Sequence, residues 1–392
     1  MNKKIIIVLA VIIYLASTGT SFFLFSTKLS ATEGPTATVP QQAAGKPTGN
    51  DYQAITFDES DPKTEECPLN GVLYSKKQHD WWSQHRPLGV MIENHSDARP
   101  QSGIPFADVT YEAIAEGGIT RTLNVYYCQD AGIVGPVRSA RTYFLDFISE
   151  YADYPLYAHV GGANTPGPAD ALGQINDYGW GQYNDLNQFS IGFPTFWRDE
   201  TRLGHDVATE HTMYSTTSKL WAVGAKRSLT NVDKKGDSWD TVFTKYTFKD
   251  DAPASQRGDS QTIDIPFWNY DEYKVDWIYD KQTNLYMRKN GGVIHKDRNT
   301  GNQLSAKNII ILVMTESHAD DGYTNNEHML YGTKGTGKAL IFLDGKEIKG
   351  TWKKASRTSR TELYDANGDE IKFNRGKFWF EIVGPAEEIK VQ

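Results

Sequence analysis

The sequence predicts an α+β fold. An N-terminal α/β part with a mixed sheet joins a C-terminal, mostly antiparallel β part, after a single N-terminal transmembrane helix. Three observations predict it. An uncharged run fills residues 5–25. Apolar runs between residues 86 and 160 switch between strand and helix spacing. Beyond residue 240, short alternating runs are divided by Asx-Gly pairs, a hairpin signal.

The run from Ile5 to Phe25 matches the roughly 20 apolar residues a bilayer core of about 30 Å requires. Lys3 and Lys4 precede it and only Lys28 follows soon after. The excess of positive charge before the run places the N-terminus in the cytoplasm and the rest outside. Two other readings compete. One is a cleaved signal peptide with its cut near Ala16-Ser17-Thr18. The other is a lipoprotein signal, which needs a Cys just after the apolar core, whereas the first Cys here is Cys67. An uncleaved anchor over residues 1–28 is expected, giving a single-pass protein of the cell membrane. Residues 29–66 turn to Ala, Thr, Pro, Gly, Gln and acidic residues without apolar period, a flexible linker. Residues 67–240 then form the α/β domain and residues 241–392 the β-rich one.

Within the first domain, Arg86 to Asn94 reads as a buried strand ending in a polar turn. Ala107, Tyr111, Ile114 and Ala115 have helix-like spacing, so a helix is expected over 107–116, stopped by Gly117-Gly118. Thr122 to Cys128 reads as a strand, Gly135 to Arg141 as a turn, Thr142 to Tyr151 as a helix and Leu156 to Val160 as a strand. In the second domain, strands are expected near residues 245–248, 274–279, 285–289, 309–314, 338–343, 346–353, 361–364 and 377–383. Asp344-Gly345, Asn367-Gly368 and Arg375-Gly376 divide several of them.

Composition limits the function. The chain has 392 residues and a formal net charge of -8, with no basic face evident, which argues against nucleic acid as a partner. Ten Trp and twenty-one Tyr suit either β-rich packing or surfaces that stack on rings. Cys67 and Cys128 form one disulfide or remain two separate thiols; sequence alone leaves both open.

Polar groups beside glycines are densest between Glu93 and Arg141. A Gly-containing turn that opens a helix presents free N–H groups, and the helix dipole adds positive potential. Arg138 and Arg141 bring fixed charge suited to phosphate or carboxylate, and Ser139 adds a donor. The opposing reading is structural: Arg138 and Arg141 pair with Glu112, Glu116 or Asp146. Glu112 and Glu116, four apart, share one face of the expected helix. Ligand-binding candidates are therefore Asn94, Arg121, Arg138, Ser139, Arg141, His159, Arg198 and His211. Asp108, Glu112 and Glu116 are candidates for a base, although no catalytic residue is fixed. His159, His205 and His211 lack metal-ligand spacing, so no metal and no cofactor is expected. No nucleophile elbow or phosphate-binding P-loop is present.

Taken together, these motifs resemble the YerB-like lipoproteins, a bacterial, envelope-associated family. The resemblance rests on residues 86–94, 98–103, 107–112, 116–121 and 135–141. It continues at His211, Tyr214 and Ser215, then at residues 306–311 and 350–353. It spans about Pro87 to Val383. The family implies an N-terminal α/β part joined to a C-terminal β-rich part, without an assigned reaction. Two departures stand out: the lipid-accepting Cys is absent, and His211 is followed by Thr212 where the family tends to have Asn.

Three functions follow as expectations. The first is binding of an anionic envelope ligand, such as a cell-wall glycan or a lipid-linked phosphate, through an Arg-rich pocket. The second is an envelope enzyme acting on a phosphate-linked substrate, by likeness of layout to the phosphotransferases that attach polymers to peptidoglycan. The third is a scaffold for other envelope proteins.

Overall fold

The computed structural model describes residues 53–151, 153–259 and 261–392. The expected membrane helix over 1–28 and most of the linker lie outside the described residues. Among the described residues, no helix is long and apolar enough to cross a membrane. Lys63–Glu66, assigned above to the linker, forms a strand against Leu73–Ser75.

The protein is mostly β with short helices. Its centre is a ten-stranded mixed sheet. In chain order its strands are β1 (Leu88–Glu93), β2 (Val109–Glu116), β3 (Ile119–Tyr126), β4 (Leu156–His159) and β5 (Asp185–Asn187). They continue with β6 (Asn308–Val313), β7 (Gly335–Leu343), β8 (Lys346–Lys354), β9 (Glu362–Asp365) and β10 (Phe378–Val383). Their spatial order is β9-β8-β7-β6-β10-β2-β3-β1-β4-β5. The first five and the last five meet at one seam, where β10 runs parallel to β2 and Glu381 lies in register with Glu112.

Strands β1 and β10 are buried along their whole length, and β2 at all but its last residue. Covered on both faces, such strands read as continuous apolar runs. A second, six-stranded sheet is antiparallel throughout and includes Val275–Asp280 and Leu285–Asn290. Burial there alternates residue by residue, as expected of a sheet packed on one face only.

The helix expected over 107–116 is instead strand β2. Val109, Thr110 and Tyr111 favour extended backbone, and pairing on both sides fixes it. Its helix-like spacing is a coincidence: when nearly every position is buried, apolar spacing no longer reports the backbone period. Gly117 and Gly118 both have positive φ, 57° and 81°, and form the two-residue turn between β2 and β3. The other expected strands and the helix after Arg141 (α1, Thr142–Ile148) form within a few residues of their predicted places.

Cys67 and Cys128 are joined by a disulfide with Cα atoms 6.0 Å apart. It ties the start of the body to the end of β3.

Candidate functional site

The segment Gly135–Arg141 is extended rather than a compact turn. Arg138 N–H donates to Met91 O at 3.0 Å, and its carbonyl accepts from Val160 N–H at 3.0 Å. Ala140 N–H donates to Gly161 O at 2.9 Å. The segment therefore bridges the end of β1 and the Gly161-Gly162 loop after β4. Arg138 and Ser139 open there onto a cleft of about 480 Å³, with Gly161, Gly162, Phe189, Arg198 and Glu210 around it.

Arg138 Nε lies 3.1 Å from Glu93 Oε1, and the Arg138 side chain keeps 25% exposure against 4% for Glu93. The other Glu93 oxygen takes Nδ1 of His211 at 2.8 Å. That hydrogen bond raises the pKa of His211, whose ring stacks on His95 at 4.8 Å between centroids. Arg198 is exposed, on a short strand against Met213 and Tyr214. Its guanidinium donates to Thr209 O and, at 3.2 Å, to Thr212 Oγ1. Glu210's own backbone N–H holds its carboxyl below the usual range, helped by the charges of Arg138, His211 and His95.

Behind the cleft lies His159, fully buried, with Nδ1 2.6 Å from Gly161 O and Nε2 2.5 Å from Asp185 Oδ1. It shapes the glycine loop and does not reach the cleft. Gly161 has φ +58°, and a Cβ added there would sit 3.0 Å from the Phe189 ring. Phe189 itself is 77% exposed.

The remaining candidates point inward. Arg141 NH2 pairs with Glu116 Oε2 at 2.6 Å and Arg121 NH2 with Glu116 Oε1 at 3.2 Å. Burial pushes the Glu116 carboxyl up, but the two guanidinium charges outweigh it and bring it to about 2. Helix α1 has seven residues, all buried, so it presents no open N-terminus to an anion. The expected anion site at that helix start is therefore not formed, because Arg141 turns to Glu116 across the sheet. Asn94 is buried, donating to Thr120 Oγ1 and Glu112 Oε1 while accepting from Arg99 and Gln101. Asp108 accepts from Asn70 and from the N–H groups of Tyr127 and Cys128, and burial raises its pKa to about 7.

Glu112 meets a partner the sequence does not announce. Arg288 reaches from the second sheet to Glu112 at 2.7 Å and to Glu381 at 3.2 Å, all three without exposure. Trp379 and Trp277 lie 4.5 and 5.2 Å from the Arg288 guanidinium carbon. None of Asp108, Glu112 and Glu116 lines the cleft. Among the described residues, His95, Asp97 and His211 offer ligand atoms within 4.8 Å of one another. Arg138, paired to the same Glu93 that holds His211, sets a positive charge against a cation there.

Of the residues at the cleft, Phe189 escapes the sequence reading altogether, while Glu93 and Glu210 fall within its polar clusters but not among its ligand-binding candidates. Glu93 and Glu210 each adjoin a residue that was singled out, Asn94 and His211. Phe189 carries no local signal: only its exposure beside Gly161 marks it.

Fold and cleft define the class: a mostly β protein with short helices and a surface cleft that sets two arginines among apolar side chains. The chain belongs to the family described as "Protein of unknown function (DUF3048)". The family's N-terminal domain matches residues 71–230 and its C-terminal domain residues 263–380. Among its relatives is the YerB protein of Bacillus subtilis (strain 168), 29% identical over 319 residues, 81% of this chain and 86% of that one. The crystal structure of Bacillus subtilis YerB superposes with a TM-score of 0.67 at 26% identity, covering 83% of this chain and all of that one. The resemblance read from the motifs is thus confirmed.

Proposed function

We propose that this protein is an envelope protein held at the membrane, its body outside the cytoplasm, that binds an anionic glycan-type ligand in the cleft between Arg138 and Arg198. The single observation that carries this reading is the pairing of two guanidinium groups with an exposed aromatic ring around one cleft. Arginine pairs with phosphate or carboxylate through paired N–H donors. Phe189 offers a face for a sugar ring. Glu210 stands in the same cleft, which favours a ligand carrying hydroxyls beside its anion over a bare polyanion. Support for the location comes from Lys3 and Lys4 before the apolar run 5–25 and from the lipoprotein designation in the name of the Bacillus relative.

The test is ligand-induced thermal stabilisation of the full chain with phosphorylated sugars, using Arg198→Ala as the variant. Arg198 is exposed, so its loss leaves the fold intact. A ligand at a hundred times its Kd stabilises the wild type by about 2.7 kcal/mol. The expected result is a rise in Tm for the wild type and none for Arg198→Ala, with the two ligand-free Tm values alike. Equal shifts in both proteins would remove the cleft from the proposal.

A further inference from the structure

Away from the cleft, strand Thr247–Lys249 runs parallel to strand Lys372–Asn374, with Lys249 directly in register with Asn374. Lys249 Nζ donates to Oδ1 of Asn374 and, at 2.6 Å, to Oδ2 of Asp344. The second Asp344 oxygen, Oδ1, accepts from Nδ2 of the same Asn374 at 2.6 Å. One carboxylate therefore touches both the amine and the carboxamide nitrogen. Asn284 Nδ2 at 2.8 Å and Ala252 N–H at 3.2 Å hold that carboxylate in place. Asn308 holds the Asn374 backbone from both sides, accepting from its N–H at 3.1 Å and donating to its carbonyl at 2.8 Å. Asn374 has no exposure and Asp344 only 4%. The neighbouring strand residues are the aromatics Tyr246, Phe248 and Phe373, with Phe378 packed on all three.

We propose that Lys249 and Asn374 are joined by an intramolecular isopeptide bond, which the chain forms by itself with Asp344 as proton carrier. The arrangement holds nucleophile, carbonyl and base together before any reaction, the condition under which intramolecular steps become fast. Hydrogen bonds from Lys249, Asn284 and Asn374 outweigh burial and keep Asp344 ionised, as a base must be. Asp344 Oδ2 takes a proton from the Lys249 ammonium. The freed lone pair attacks Cγ of Asn374, and the carbonyl π electrons move onto Oδ1. The protonated Asp344 carboxyl delivers that proton to Nδ2, and the Cγ–Nδ2 bond breaks as the carbonyl reforms, releasing ammonia. Asp344 then takes a second proton from the new amide nitrogen and passes it to the ammonia. The three ammonium protons are accounted for: one stays on the new amide nitrogen and two leave on Nδ2 as ammonium. Asp344 ends as it began, and no oxidant, metal or cofactor enters.

Peptide mapping of the purified full chain tests this. Trypsin cleaves after Lys and Arg, so an unmodified chain gives residues 246–249 and 373–375 as separate peptides. The expected result is a branched peptide joining 246–257 to 373–375, lighter than the sum of the two by one ammonia. Recovery of the separate peptides from the wild type overturns the proposal, and that measurement needs no variant. Asp344 sits at φ +53°, a conformation Asn also tolerates, so Asp344→Asn preserves its turn. Asp344→Asn is expected to give the separate peptides from a chain that still folds by circular dichroism. A link formed as fully in that variant as in the wild type overturns the role assigned to Asp344.

Discussion

Arg138 and Arg141 stand three apart in the sequence, yet the fold sends them to different acids. Arg138 remains at the surface on Glu93, while Arg141 joins Arg121 on Glu116 inside. Residue types were legible from the chain alone, and the alternative of buried ion pairs was as well. Which arginine took which role was not, because Glu116 lies on another strand and strand pairing decides the distance. Two buried cations sharing one half-buried carboxylate make Glu116 costly to neutralise. Glu116→Gln is expected to lower stability by about 3 kcal/mol, since it leaves two buried guanidinium groups without a counter-charge. Its folded pKa of about 2 lies below the unfolded value of 4.5, so its contribution is present above about pH 4.5 and lost as pH falls toward 2. Urea unfolding at neutral and acid pH measures both effects: the wild-type advantage over Glu116→Gln should shrink as the pH drops. An unchanged gap would mean that Glu116 is not the ion that holds the arginines.

At the scale of elements, the sequence reveals strands better than it reveals what surrounds them. The eight strands expected beyond residue 240 all form, because Asx-Gly turns and alternating runs are local signals. Strand β2 failed as a prediction for the opposite reason. One edge pairs with β3, next in the chain, but the other is covered by β10, whose residues lie far along the chain. The turn after β2 gives a test that separates its two glycines. Gly118 has φ +81°, and a Cβ there would lie 2.4 Å from the Tyr270 ring. Gly118→Ala is expected to cost about 1–2 kcal/mol from the backbone conformation, with the ring forced to move. Gly117 has φ +57° with no atom nearer than 3.8 Å to an added Cβ. Asn tolerates that conformation, so Gly117→Asn should stay within about 0.5 kcal/mol of the wild type. Thermal unfolding of both variants compares them, and an equal cost would contradict the two-residue turn.

For the whole molecule, one buried cluster links what the sequence presents as separate halves. Glu112 on β2 and Glu381 on β10 are register partners, and Arg288 of the second sheet answers both. One guanidinium cannot balance two carboxylates in so dry a place. Burial, then the charge of Glu112, pushes Glu381 up to about 8, so it stays protonated at neutral pH. Its Oε2 has no hydrogen-bond partner, which leaves a full negative charge there poorly satisfied. A carboxyl that binds its proton more tightly when folded stabilises the fold at low pH. That contribution is complete below about pH 4.5, the unfolded value, and is lost as pH rises through about 8. Glu381→Gln keeps the neutral shape without the titration. The stability of the wild type relative to Glu381→Gln should therefore fall steadily from pH 5 to pH 8 and level off above it. Urea unfolding of both chains across that range reads the difference directly. Parallel profiles would mean that Glu381 is ionised throughout, and that Arg288 alone holds two charged acids at the seam between the two sets of strands.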